Sequence, residues 1–349
     1  MSISKRFAFL AVLSMSIAGG VPMAPAAAQT VDMDFSAYLQ LLAARARGEG
    51  VSDATISRMT AGLTPNPRVI TLDQSQPGSS STTTSNSSSI SFAPYMRTHV
   101  DAARIDGGKR MYGAVASFAP AIEARYGVPV PILLAIWGHE TNYGSYTGDF
   151  DLARSLATLA WEGRRRELFA SEFIALLKMV DRGVPPERLK GSWAGAVGNP
   201  QFLPSMYLRL ARDGDGDGYA DIWSSRADTL ASIANYFRDA GWKPGQPWAV
   251  RASVPADFNA GALENKLTAP ECPRVHARQS QWRTIAEWRQ LGVSALAPIG
   301  DGVLASLIEP DGRGAPAYLL TGNYRAILSY NCSNYYALSV GLLADAIAR

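Results

Sequence analysis

The chain has 349 residues, 47% of them hydrophobic, with 33 lysines and arginines against 30 acids and a formal net charge of +3. That length supports a large buried core, in one elaborated domain or two. The near balance of charge gives no electrostatic case for nucleic acid or an anionic membrane as a partner.

The first 28 residues carry Lys5 and Arg6, an apolar run, and small residues at Ala26 and Ala28, the pattern of an export signal cleaved near Ala28. The apolar run is shorter than the roughly 20 residues a membrane span needs, so a cleaved signal is preferred to an uncleaved anchor. No cysteine precedes Cys272, which excludes a lipid on an N-terminal cysteine. The mature chain is expected in the periplasm, with no transmembrane segment and a net charge of +1 once Lys5 and Arg6 are gone. Thiols oxidise outside the cytoplasm, so Cys272 and Cys332 are candidates for a disulfide, which would restrict the unfolded chain by about 4 kcal/mol. Two free thiols are the alternative.

Residues 34 to 63 read as two helices: "FSAYLQLLAARARGEG" has apolar residues at helical spacing and ends in glycine, and "SDATISRMTAGL" begins on a Ser52 cap. A Ser/Thr-rich stretch over 74–92 has almost no apolar content and reads as a flexible loop. Helical spacing resumes from Tyr95 to Tyr126. Pro129 and Pro131 then start a short, nearly all-apolar helix, "GVPVPILLAIWGHE", with Glu140 at its C-terminal end. Further helices are read in "RRELFASEFIALLKMVDRG", "PSMYLRLARD" and "ADTLASIANYFRDAGW". After Gly241, "PWAVRASVP", "GVLASLIEP" and "AYLLTGNYRAILSYN" read as short strands with "PDGRG" as a turn, and "SNYYALSVGLLADAIA" returns to helix on a Ser333 cap. The fold class is α+β, mainly α, with a small β portion near the C-terminus.

His139 and Glu140 suggest half a zinc-protease motif, but position 143 is tyrosine where the second histidine belongs. Neither cysteine has a metal-ligand neighbour, so His139 reads as structural. Glu140 has two readings. If its helix is buried, Ile136 and Trp137 keep water from the carboxyl, and the negative helix end also favours the protonated acid, as general acid catalysis requires. Alternatively it is salt-bridged to one of the arginines at 164 to 166.

In "RDGDGDGYADIW", Asp213, Asp215 and Asp217 take positions one, three and five of an EF-hand-like loop, with the Tyr219 carbonyl at seven and Asp221 at nine. Position twelve is Ser224, so Asp228 is the candidate closing ligand. The loop is expected to hold a structural calcium ion, or else to be a solvated acidic turn. "KGSWAGAVGNPQFLPSMYL" combines small residues with Ser192, Asn199, Gln201, Ser205 and Tyr207, which suits either close helix packing or a binding wall. With the tyrosines of "ETNYGSY" and "YNCSNYY" it suggests a sugar cleft.

Several of these stretches together resemble the MltB-type lytic murein transglycosylases. "GHETNYG", "LATLAW", "RRRELF", "KGSWAGAVGNPQFLPSMY", "DGDGDGYADIW", "SIANYFRDAGW" and "YNCSNYYALSVGLLAD" stand in that family's order, and the likeness runs from about residue 31 to the C-terminus. The resemblance implies a lysozyme-like catalytic core over 93–243 that includes the acidic loop 213–228. Around it lie an N-terminal helical segment (29–73), a β-containing part (244–331) and a C-terminal helix (332–349) packed on the core. It also implies that Glu140 is the single acid/base of non-hydrolytic cleavage between N-acetylmuramic acid and N-acetylglucosamine in peptidoglycan, giving 1,6-anhydro ends without a catalytic cofactor. Ser192, Gln201, Tyr236, Tyr330, Asn331 and Tyr95 fall on positions that line the family's glycan cleft. Pro200 where glycine is common, Leu168 where an aromatic is common, and the serine-rich insertion near Tyr95 depart from the pattern. No peptidoglycan-binding repeat follows, so binding is expected to rest on the cleft. The other readings are a lysozyme-like hydrolase using Asp149 or Asp151 as second carboxylate, and a non-catalytic glycan-binding envelope protein.

Overall fold

The computed structural model describes residues 33–76, 91–266 and 272–349. The export signal and most of the Ser/Thr-rich stretch lie outside them. Phe35–Arg349 form one compact unit that holds both the helices and the sheet.

Helices α1 (Phe35–Gly48), α2 (Asp53–Thr60) and α3 (Pro67–Gln74) open the unit. The Ser52 side chain accepts from Thr55 N–H, as the sequence suggested, and Asn66 caps α3 with Pro67 in its first turn. Asp73 at the end of α3 is buried, and it is held by the guanidinium groups of Arg164 and Arg165. The two arginines hold its carboxyl below the usual range against the opposing effect of burial.

Next come α4 (Phe92–His99), α5 (Ala102–Ala114), α6 (Ala119–Tyr126) and α7 (Val130–Thr141). Val130, every residue from Ile132 to Gly138, and Thr141 are buried, because α7 runs through the middle of the helical part against α5, α11 and α15. The strand β1 (Phe150–Asp151) leads into α8 (Leu152–Glu162), and α9 (Arg166–Asp181) packs along it. Asp151 caps α8 by accepting from Arg154 N–H. β2 (Lys190–Gly191) pairs antiparallel with β1, then come α10 (Pro204–Leu210) and α11 (Arg226–Asp239).

The C-terminal part is built on β3 (Ala249–Ser253), α12 (Pro273–His276), β4 (Arg283–Thr284), α13 (Ile285–Gln290), β5 (Ser294–Ala295), β6 (Leu304–Ile308) and β7 (Ala317–Leu320). The strand order is β4-β6-β7-β3-β5, and every pairing is antiparallel. Val250 and Leu307 both register with Leu319, and these residues pack with Ile285 and the fully buried Trp288 into a separate small core. The Trp288 indole N–H donates to the Ala305 carbonyl at 2.9 Å.

The strand expected across "AYLLTGNYRAILSYN" is shorter than its sequence suggests. Strand in "AYLLTGNYRAILSYN" stops at Leu320, and α14 (Gly322–Tyr330) follows. Thr321 is an N-cap that accepts from Asn323 N–H, and Tyr324, Ile327 and Leu328 are buried at helical spacing. Finally α15 (Asn334–Ile347), capped by Ser333, packs against α7, α5 and α4.

Candidate active site

Everything about the site follows from how α7 ends. Its last turn is closed by Asn142, in the left-handed region at φ 48°, whose N–H returns to the Gly138 carbonyl. Tyr143 is left-handed as well, at φ 58°. Such a pair without glycine is strained, and the surroundings must enforce it. They do so through the Tyr143 ring, which lies against Gly107, Gly108 and Gly138; a Cβ at Gly138 would come within 2.7 Å of the ring. The Tyr143 hydroxyl donates to the Arg104 carbonyl at 2.8 Å. The turn that carries Glu140 is therefore held from both sides.

Glu140 is partly exposed, at the edge of this buried helix. The three arginines offered as salt-bridge partners are committed elsewhere: Arg164 and Arg165 hold Asp73, and Arg166 lies 4.9 Å over the Tyr38 ring. The partner of Glu140 is instead Tyr336 of α15, whose hydroxyl donates to its Oε1 at 2.5 Å. Burial raises the carboxyl to about 7, against the opposing pull of the Tyr336 bond. No second acid contributes to this shift. His139 beside it is brought down to about 3, by burial first, with the charges of Arg104 and His99 adding to it. The neutral ring is fixed between the Ala135 carbonyl (2.9 Å) and the Ser339 hydroxyl (2.8 Å), a structural role.

Near the carboxyl the fold gathers tyrosines that the sequence pointed to. Tyr236 and Tyr330 have ring centroids 4.6 Å apart and both lie against Phe202. The Tyr330 hydroxyl donates to the Pro200 carbonyl at 2.6 Å. Tyr95 stacks on His99 at 3.7 Å and leans on Tyr335. Tyr330 and Tyr336 are pushed up by burial and then by the Glu140 charge; Tyr95 is raised by burial against the Ser339 bond and the Arg104 charge, with Glu140 adding least, so all three remain O–H donors.

Gln201 adopts φ 50° and donates from its side chain to the carbonyls of Gly198 (2.9 Å) and Thr147 (3.1 Å). Ser192 Oγ accepts from Ala196 N–H at 2.9 Å. Gln201 therefore touches the loop that follows Glu140, and so does Ser192 through Gly148, which lies against Gly191 and Ser192. Asn331 is exposed, and its side chain makes no hydrogen bond among the described residues.

The acidic loop is a separate feature. Asp213, Asp215 and Asp217 bring carboxylate oxygens within 4.8 Å of one another, a donor set that fits a hard, oxygen-seeking cation. Among the acids of the loop and the helix after it, Asp228 stands outside this cluster. The Tyr219 carbonyl accepts from Asp221 N–H (3.2 Å), and the buried Asp228 accepts from Gly214 N–H (2.7 Å) and Asp221 N–H (2.6 Å). Asp228 thus latches the loop to the first turn of α11. Cys272 and Cys332 form a disulfide with Cα atoms 5.4 Å apart, just ahead of the Ser333 cap of α15.

Glu140 lines none of the hollows of about 770 Å³ between Lys243 and Val303, about 450 Å³ beside Asn142 and Tyr143, and about 410 Å³ beside Tyr112 and Glu123. The model for the transglycosylase SLT domain family matches residues 34–345. The chain belongs to this family.

Membrane-bound lytic murein transglycosylase B of Escherichia coli (strain K12) is 34% identical over 226 residues, covering 64% of this chain and 58% of that relative. The match thus spans little more than half of the relative's length. SltB3 of Pseudomonas aeruginosa in complex with NAG-anhNAM-pentapeptide superposes with a TM-score of 0.79 at 37% identity, covering 90% of this chain and 80% of that one. The Escherichia coli lytic transglycosylase SLT35 in complex with calcium gives 0.73 at 27% identity, over 89% and 92%. The mainly helical, lysozyme-like fold expected from the sequence is the one this chain shares with these family members. Within that fold the residue that sequence reasoning passed over is Tyr336. Its signal was the paired tyrosine in "YNCSNYY", three residues past a serine cap.

Proposed function

We propose that this chain is a peptidoglycan lytic transglycosylase that cleaves the bond between N-acetylmuramic acid and N-acetylglucosamine and leaves a 1,6-anhydro end. The observation that carries the proposal is Glu140, an acid raised to about 7 by burial, with a tyrosine as its hydrogen-bond partner and no second acid among the causes of its shift. A carboxyl with that value can be both acid and base near neutral pH.

The reaction needs both roles in sequence. Protonated Glu140 gives its proton to the glycosidic oxygen as the bond to C1 of the muramoyl ring breaks. The resulting carboxylate then takes the proton from the muramoyl 6-hydroxyl as that oxygen bonds to C1. Glu140 ends protonated, and no water is consumed. Tyr336 favours the carboxylate and burial favours the acid, so their balance sets how readily the group exchanges roles. Tyr95, Ser192, Gln201, Tyr236, Tyr330 and Asn331 are proposed to line the glycan cleft, with the tyrosines offering rings and hydroxyls to pyranose units. The anhydro sugar bound to SltB3 supports this product.

Against hydrolysis by a carboxylate pair, Asp151 is engaged as the α8 cap, and the exposed Asp149 lies beside the Tyr146 hydroxyl. The acidic loop is proposed to hold a structural calcium ion, supported by its three convergent carboxylates and by the calcium complex of SLT35. Calcium there would neutralise the three acids and stiffen the loop that Asp228 ties to α11. Export to the periplasm is proposed from the N-terminal pattern. Among the described residues no single helix is long and apolar enough to cross a membrane. Mass spectrometry of digested peptidoglycan tests the central claim. Anhydromuramic ends are expected from the wild type and none from Glu140→Gln, and reducing muramic ends would overturn the reading.

A further inference from the structure

The loop between Glu140 and β1 presents a large aromatic side chain to solvent: Tyr146 is 65% exposed, among the most exposed of the large hydrophobic residues. An exposed ring on a mobile loop would mean little, since single exposed apolar residues are common. This loop is pinned. Tyr146 N–H donates to the Thr141 carbonyl at 3.2 Å, and Thr147, the next residue, is held by the Gln201 side chain at 3.1 Å. At the far end Gly148, at φ 93°, sits so close to Gly191 that a Cβ would come within 2.2 Å of its backbone. Thr141, the residue after Glu140, donates to the Asn199 carbonyl at 3.1 Å and so ties the near end to the opposite wall.

The consequence is an aromatic side chain carried on a backbone held in advance, six positions past the acid, on the loop that touches Ser192 and Gln201. Its hydroxyl lies 3.5 Å from Asp149 Oδ1. An aromatic side chain on a fixed backbone beside a carboxylate has the chemistry of a sugar platform: the face takes the C–H side of a pyranose, and the acid accepts from its hydroxyls.

We propose that Tyr146, with Asp149, forms an additional pyranose subsite of the glycan cleft, reading a sugar unit beside the bond that Glu140 cleaves. The subsite rests on the glycan-cleaving reading above. Tyr146 binds and positions, and the chemistry stays with Glu140.

The test compares wild type, Tyr146→Ala, Tyr146→Trp and Tyr112→Ala on soluble, uncrosslinked glycan strands. KM, kcat and the thermal midpoint are read for each. Loss of the platform is expected to raise KM about three- to tenfold in Tyr146→Ala, the scale of one aromatic contact. The tryptophan variant is expected within about twofold of wild type, with midpoints unchanged because the side chain buries little. Tyr112 is another exposed tyrosine, on α5 away from this loop, and its replacement is expected to leave KM alone. An unchanged KM in Tyr146→Ala, or a tryptophan variant no better than alanine, overturns the subsite. A wild type that releases no anhydro ends overturns the proposed function instead, so the two failures are distinguishable.

Discussion

Replacing Tyr336 by phenylalanine removes one oxygen from a buried position and leaves the ring. That oxygen donates to Glu140 at 2.5 Å and lowers a carboxyl that burial alone would push further up. A hydrogen bond to a charged group is worth about 1.5–3 kcal/mol, and one pH unit in a pKa corresponds to about 1.4 kcal/mol, so Glu140 should rise from about 7 by roughly one to two units. The direction follows from which state the bond favours: its loss penalises only the carboxylate. The general acid must be protonated in the free enzyme, so the basic limb of kcat/KM reports its ionisation. The assay is release of soluble muropeptides from peptidoglycan between pH 5 and about pH 10, with a thermal melt at each end to confirm folding. In Tyr336→Phe the basic limb should move about one to two pH units upward. A folded variant whose basic limb stays where it was would refute the argument, because then either Glu140 is not the titrating acid or Tyr336 does not set its ionisation.

Glu140→Gln should stabilise the fold at pH 8 by up to about 3 kcal/mol and make no difference near pH 4: a carboxyl raised from 4.5 to about 7 makes the native state bind more protons in between, so wild-type stability falls as pH rises through that window. Denaturant unfolding of both proteins at the two pH values measures it. Gly148→Ala places a Cβ within 2.2 Å of the Gly191 backbone at a φ of 93°, so a loss of about 1–3 kcal/mol is expected, together with a higher KM as the loop shifts away from Ser192 and Gln201. Chelation should lower the melting midpoint if the loop of Asp213, Asp215 and Asp217 holds calcium, since ion at 100 times its Kd contributes about 2.7 kcal/mol. An unchanged midpoint would leave that loop a solvated turn.

What was legible in the chain depended on how local its cause is. The run from Val130 to Trp137 is apolar all round, so the helix had to be buried, and the first acid after it had to sit at the edge of that burial. That much placed Glu140. The serine caps at 52 and 333 were readable for the same reason, because a cap and the N–H it serves are three residues apart. Reading failed where residues near in sequence answer to different neighbours. The stretch after Ala317 continues the sheet only to Leu320, and Thr321 then turns the same apolar, aromatic composition into a helix. Asp228 was legible as the carboxylate that opens the helix after the acidic loop, but its partners were not. Ser225 caps that helix, and the start of the helix aims the carboxylate back at Gly214 and Asp221 N–H, a contact set by how α11 meets the loop.

The same limit explains why the acid could be found and its setting could not. That Glu140 would be buried can be read from the apolar run of its own helix, but the bond that opposes burial comes from a residue 196 positions away. Periodicity shows that α15 has an apolar side; it does not show that Tyr336 is the residue turned toward Glu140. That depends on α15 lying along α7, with Ser333 starting the helix and the disulfide of the preceding Cys332 tying its beginning to the segment before α12. A group poised near 7 is therefore a product of two parts of the chain, one that removes water and one that returns a single donor. Mutations on the second part should change the pH at which the protein works before they change whether it folds.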